Sequence, residues 1–203
     1  MRSVKVRLVL LLGSALLLLT GCAKMDAAAI IGDVEIPIAT VQTSIEDVMR
    51  ERAQVDTAGM ELPIEDFLAR SQVQFHISVA LLEELAKQFG IEVTQTAIDA
   101  EYEYIIEQVG GESELPQALV GANIARSDFE RYIVASKIYE ALGQSLFDQG
   151  IAAEEIADAQ QALIVQKAEE LSVTLNPRYG VWDAATATVR AGGDSNGAVV
   201  SDR

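Results

Sequence analysis

The 203-residue chain predicts a mainly α-helical domain with a small antiparallel sheet, formed by an N-terminal hairpin and a C-terminal strand. Three observations lead there. Between Leu62 and Phe89, the residues Ile64, Phe67, Leu68, Phe75, Val79, Leu82, Leu85 and Phe89 recur at steps of three, four or seven, the period of one buried helical face. Ala28 to Ile31 and Val34 to Ile36 flank Gly32-Asp33, an acceptable two-residue hairpin turn between β-branched neighbours. Ser172 to Leu175 is β-prone and precedes a proline-bearing turn.

The long helix is expected to organise the rest. Pro63 suits its first turn, where a missing N–H has no intrahelical partner anyway. Glu65 and Asp66 place negative charge at its N-terminus, and Gly90 supplies a left-handed stop. A helix of this length spans about 40 Å, so several helices, or something outside the chain, must cover it.

Ahead of the fold stands an address. Arg2, Lys5 and Arg7 form a basic region and Leu8 to Leu19 a short apolar one, shorter than the ~20 residues of a membrane span. It ends in Leu19-Thr20-Gly21-Cys22, which resembles the lipobox of bacterial lipoproteins. That resemblance implies cleavage before Cys22, acylation of Cys22 by chains such as palmitate, and a lipid-anchored protein on the extracytoplasmic face of the cell membrane. Residues 1–21 are then signal peptide and 22–27 a tether. Cys22 is the only cysteine, so no internal disulfide forms. Two acyl chains, at about 0.8 kcal/mol per buried CH₂, anchor a protein stably.

The mature chain keeps 12 of the 15 basic residues and all 31 acidic ones, a formal charge of −19. Nucleic acid and anionic headgroups repel such a chain, so no nucleic-acid partner is expected and the acyl group must do the anchoring. Half of all residues are hydrophobic, which argues against a disordered protein.

Pro37 opens a first helix running to about Ala53, with Val41, Ile45 and Val48 on one face; Gln54 to Glu61 is a polar loop. After the long helix, Ile91 to Thr94 is an extended link and Thr94 or Thr96 caps a helix with Ile98, Tyr102, Ile105, Ile106 and Val109 on one face. Gly110-Gly111 stops it, and Leu115 to Ala122 is a short helix. Ser127 and Glu130 have capping-box spacing, ahead of a helix with Phe129, Ile133, Ser136 and Leu146 near one face that ends before Gly150. The last helix spans Ala153 to Glu170, with Ile156, Leu163 and Leu171 inward, and residues 184–203 are helix end and loose tail.

In this order the segments resemble the SurA-like N-terminal chaperone domain, of the trigger factor/SurA peptide-binding kind, over residues 28–183. Ala29 to Ile36 resembles its opening hairpin, Ile91 to Thr94 its link into the third helix, and Leu119 to Phe129 its glycine-containing passage to a phenylalanine. Asn176-Pro177-Arg178-Tyr179-Gly180, followed by Val181-Trp182-Asp183, resembles the closing motif of extracytoplasmic members. The resemblance implies chaperone or holdase binding of unfolded or extended client polypeptides. Many members insert a parvulin prolyl-isomerase domain of roughly a hundred residues, within the usual domain size. Here only one helix separates Gly150 from Asn176, and the histidine pair of the parvulin site is missing because His76 is the only histidine. The resemblance therefore implies no enzyme.

The residues themselves name no catalytic constellation. One histidine and one acylated cysteine cannot build a metal cage, and no phosphate-binding glycine loop is present. Asp194 to Gly197 resembles the start of a calcium loop, but twelve positions from Asp194 run past Arg203. No cofactor is expected. His76 reads as a surface or satisfied core residue. Tyr179 and Trp182 have two readings, a clamp holding the C-terminal turn on the helices or a peptide-binding rim. A scaffold for one fixed protein partner is the alternative to a holdase; a broad apolar groove favours the holdase and a narrow or filled one the scaffold.

Overall fold

The computed structural model describes residues 26–192. Cys22, the signal segment and Asp194 to Gly197 lie outside them. Among the described residues, six α-helices and a small antiparallel sheet make a mainly helical fold.

The sheet begins where the described chain begins. Strand β1 (Ala27–Ile31) turns through Gly32-Asp33 into β2 (Val34–Pro37), with Ile31 opposite Val34 and Ala29 opposite Ile36. Gly32 takes φ 57°, at the first central position, where a two-residue hairpin favours glycine. Helix α1 (Ile38–Arg52) follows directly. Pro37 caps it without a side-chain bond, at φ −64°, the angle its ring enforces. β1 is buried along almost its whole length, which explains its three alanines: with both faces covered, small side chains let helix and strand approach.

Helix α2 (Glu65–Phe89) is the central rod, about 37 Å long. It starts three residues after the expected Leu62, because Ile64 holds an extended backbone ahead of it. Two residues assigned to its buried face are corrected. Ile64 is 81% and Phe67 57% exposed, since the first turn overhangs the body and burial begins at Leu68. Beyond Leu68 the helix is buried on more than one side. Val73, Ile77, Ala80 and Leu81 join the sheet and α1 in one core cluster, while Val79, Leu82, Leu85 and Ala86 face the next.

Thr94 caps α3 (Gln95–Val109), its hydroxyl accepting from the Ala97 N–H. The predicted apolar face of α3 is only half-buried, against Leu115 and Leu119 of α4 (Leu115–Ala122) and Phe129 and Ile133 of α5 (Phe129–Asp148). The capping box at Ser127 is not formed. Residues Arg126–Asp128 make a 3-10 turn, Asp128 is the N-cap of α5 without a side-chain bond, and Ser127 instead helps hold the Asp47 carboxyl below its usual range. Ser136 is exposed; Ala135, Ile138 and Leu142 face the core in its place.

Helix α6 (Ile156–Glu170) returns the chain to the sheet. β3 (Thr174–Leu175) pairs with β1, Leu175 opposite Ala29 and Thr174 opposite Ile30, giving the order β2-β1-β3. The expected third strand is therefore present and antiparallel. The expected end-of-helix and tail after residue 183 is corrected. β4 (Val181–Asp183) and β5 (Thr188–Arg190) form a second hairpin. Asp183 organises its turn by accepting from the Ala185 N–H and the Thr186 hydroxyl. Two side-chain bonds at Gln74, to Ala187 and Val189, fix the hairpin on α2.

Candidate functional site

The single histidine is buried, with 1% exposure, at the crossing of three helices. Helix α2 places His76 beside Ser44 of α1, Asp128 at the entry to α5, and Arg131 one turn on. Arg131 Nη1 lies 3.1 Å from Nδ1. Guanidinium has only donors, so Nδ1 is the bare nitrogen of a neutral ring. Nε2 then carries the proton and donates to Ser44 Oγ at 2.9 Å. The Ser44 hydroxyl donates onward to Asp128 Oδ2 at 2.5 Å. Burial holds the imidazole below its ordinary pKa; Asp128 opposes this and Arg131 reinforces it.

Serine, histidine and aspartate are thus together, but with the wrong polarity for nucleophilic catalysis. A serine nucleophile must give its proton to the imidazole, and the aspartate must hold the opposite ring nitrogen. Here the imidazole donates to the serine, arginine occupies the opposite nitrogen, and Ser44 is itself buried. The chain of bonds is a polar pin joining α1, α2 and α5. Beside it, Asp47 is pushed up by burial but more strongly held below its usual range by bonds from Ser127 and Arg50.

The surface between α2 and α5 is of another kind. Phe75, Val79 and Leu82 on α2 face Tyr132, Ala135, Ser136 and Tyr139 on α5 across an open groove of about 230 Å³. Tyr132 and Tyr139 are seven residues apart, so one helical face presents both rings, and both are partly exposed. Ser78, Ala135 and Ser136 are small, and their size opens the space between the aromatic walls. A tyrosine ring offers apolar area with a polar tip, which suits contact with varied apolar side chains. The sequence marks the two tyrosines only as an aromatic pair at a seven-residue spacing.

The two residues read as clamp or rim sit elsewhere. Tyr179 is 3% exposed, its ring a core group in the cluster of Ala28, Val41 and Ile77, and Trp182 lies half-buried against the same cluster. They are not brought together with the groove. Cys22 lies outside the described residues. Among the described residues no group of three or more metal-ligating side chains comes together, and no helix is long and apolar enough to cross a membrane.

No protein-family model, curated protein or solved structure matches the chain.

Proposed function

We propose that this chain is a lipid-anchored extracytoplasmic protein that holds extended, apolar segments of other polypeptides, in the manner of a chaperone or holdase. The groove between α2 and α5 carries the reading. It is apolar, open, and walled by Phe75, Tyr132 and Tyr139, on a chain whose heavy acidic excess keeps an apolar surface soluble. The lipobox-like Leu19 to Cys22 supports anchoring of the mature protein at Cys22. Cys22→Ser is expected to abolish incorporation of a fatty-acid analogue, and equal label on both proteins would remove the anchor from the proposal.

The second reading is a scaffold for one fixed partner, and the groove's size favours it. From Phe75 to Leu82 the walls run about 10 Å along the helix, room for about three residues of extended chain. Such a site grips one or two apolar side chains at a time.

A peptide array probed with the protein lacking residues 1–22 separates the two. Binding to many apolar peptides supports the holdase, and binding to a single motif the scaffold. Tyr132→Ala combined with Tyr139→Ala is expected to weaken either. Binding unchanged by that pair would refute the groove as the contact site.

A further inference from the structure

The tether that leads from the acylated cysteine to the fold is very short. Five residue steps separate Cys22 from Ala27, the first residue of β1, and they reach at most about 18 Å. That is half the length of α2, so a protein anchored at Cys22 cannot stand clear of the bilayer on a stalk. One end of the fold is therefore held within about 18 Å of it.

Bonds and contacts trace which end this is. Asn176 grips the start of β1, its amide side chain donating to the Ala27 carbonyl at 3.0 Å and its N–H to the Ala28 carbonyl at 2.9 Å. The turn continues through exposed Arg178, whose guanidinium lies 5.5 Å from the Tyr179 ring centre. At Gly180 it meets Arg70, whose Cδ lies 3.5 Å from where a glycine β-carbon would stand. Arg70 in turn lies over the exposed Phe67 ring at 5.8 Å. Val181, the next residue after Gly180, is 57% exposed, and half-buried Trp182 follows. Among the described residues, neither Arg70 nor Arg178 has a carboxylate within salt-bridge distance.

We propose that this end, carrying Phe67, Arg70, Arg178, Val181 and Trp182, docks on the interfacial layer of the membrane that holds the lipid. The proposal rests on acylation at Cys22. Aromatic side chains favour the headgroup level of a bilayer, and arginine spans it by burying its stem while its charge stays wet. The end is not a basic patch, because Glu65 and Asp66 sit beside Phe67 in the first turn of α2 and Arg190 is bound to Asp183. Docking is therefore by partition into the interface and does not require anionic lipid. Elsewhere α3 carries Asp99, Glu101, Glu103 and Glu107 with no basic residue of its own, a helix that the same membrane leaves in water.

Trp182 is the only tryptophan and reports on the docked end directly. The mature acylated protein is reconstituted in phosphatidylcholine vesicles with and without bromine-labelled acyl chains, and flotation is measured alongside emission. Expected is loss of Trp182 emission in the brominated vesicles, with little change when phosphatidylglycerol is included. Phe67→Glu and Val181→Glu, both at exposed positions, should each recover emission while the protein still floats. Tyr104→Glu, on exposed α3 surface, should leave the quenching intact. Flotation without quenching, or quenching that neither variant relieves, overturns the docking and leaves the lipid anchor standing. Absence of both flotation and fatty-acid label removes the anchor, and the docking falls with it.

Discussion

Asn176 donates from its backbone N–H to the Ala28 carbonyl and from its side chain to the Ala27 carbonyl, so the C-terminal segment is fastened to the first described strand. The backbone N–H of Gly32 donates to the Leu171 carbonyl at 2.8 Å, a second fastening at the other end of β1. Removing the C-terminal segment therefore opens the core instead of shortening a tail. A chain ending at Leu171 loses β3, buried Tyr179 and half-buried Leu175 and Trp182. At roughly 1.5–3 kcal/mol for each fully buried large apolar side chain, and less for the half-buried ones, the loss is several kcal/mol. A chain ending at Arg190 keeps both hairpins and should melt with the full domain. Thermal melts of the two truncations decide this; equal melting temperatures would disprove a structural role for the C-terminal strand.

Gly180 adopts φ 128°, and a β-carbon there would stand 2.1 Å from the Arg190 carbonyl oxygen. That atom is backbone in the second hairpin and cannot rotate away. Gly180→Ala is expected to cost about 1–3 kcal/mol, the range for a residue forced into sparsely populated backbone, by prising β5 from the turn. Urea unfolding measures it, and a midpoint equal to that of the parent protein would show that the turn relaxes freely.

His76 predicts a pH dependence with a definite sign. Its pKa in the fold lies below the ordinary 6.5, so the unfolded chain binds the proton more readily than the native one. Stability is then complete above about pH 6.5 and is lost as pH falls from there through the lowered native value. No other histidine is present, and only histidine side chains ordinarily titrate in this range. His76→Gln, whose amide both donates and accepts, should flatten stability between pH 7.5 and about 5.5. A parent protein with unchanged stability across that interval would contradict a buried neutral imidazole.

Prolyl-isomerase activity is expected to be absent, since the segment between α5 and β3 holds only α6 and a 3-10 turn. In a protease-coupled assay the proline peptide should relax at its uncatalysed rate, over roughly tens to hundreds of seconds. Acceleration that titrates with added protein would establish an unrecognised catalytic site.

The sequence by itself determined most of the elements, because their signals are local. Apolar spacing marks α2 through Leu68, Val79, Leu82 and Leu85. Gly32, Gly90 and Gly110 stand where the backbone turns left-handed, and Thr94 declares its cap. Even the pairing of Thr174 and Leu175 with β1 followed from local propensity and a hairpin in need of a third strand. Other features depended on which surfaces meet, and only the tertiary structure decided them. Periodicity assigned Ile64 and Phe67 to the core, but the overhanging first turn of α2 leaves both side chains mostly exposed. Ser127 has the spacing of a cap, yet its influence on Asp47 of α1 exists only after the helices pack. The Ser44, His76, Asp128 and Arg131 chain contains a bond between residues 84 positions apart, and its bond polarity, which separates a structural pin from a catalytic triad, exists only in three dimensions. The groove likewise needed two helices side by side: Phe75 and Tyr132 carry no mark of facing one another until α2 and α5 are in contact.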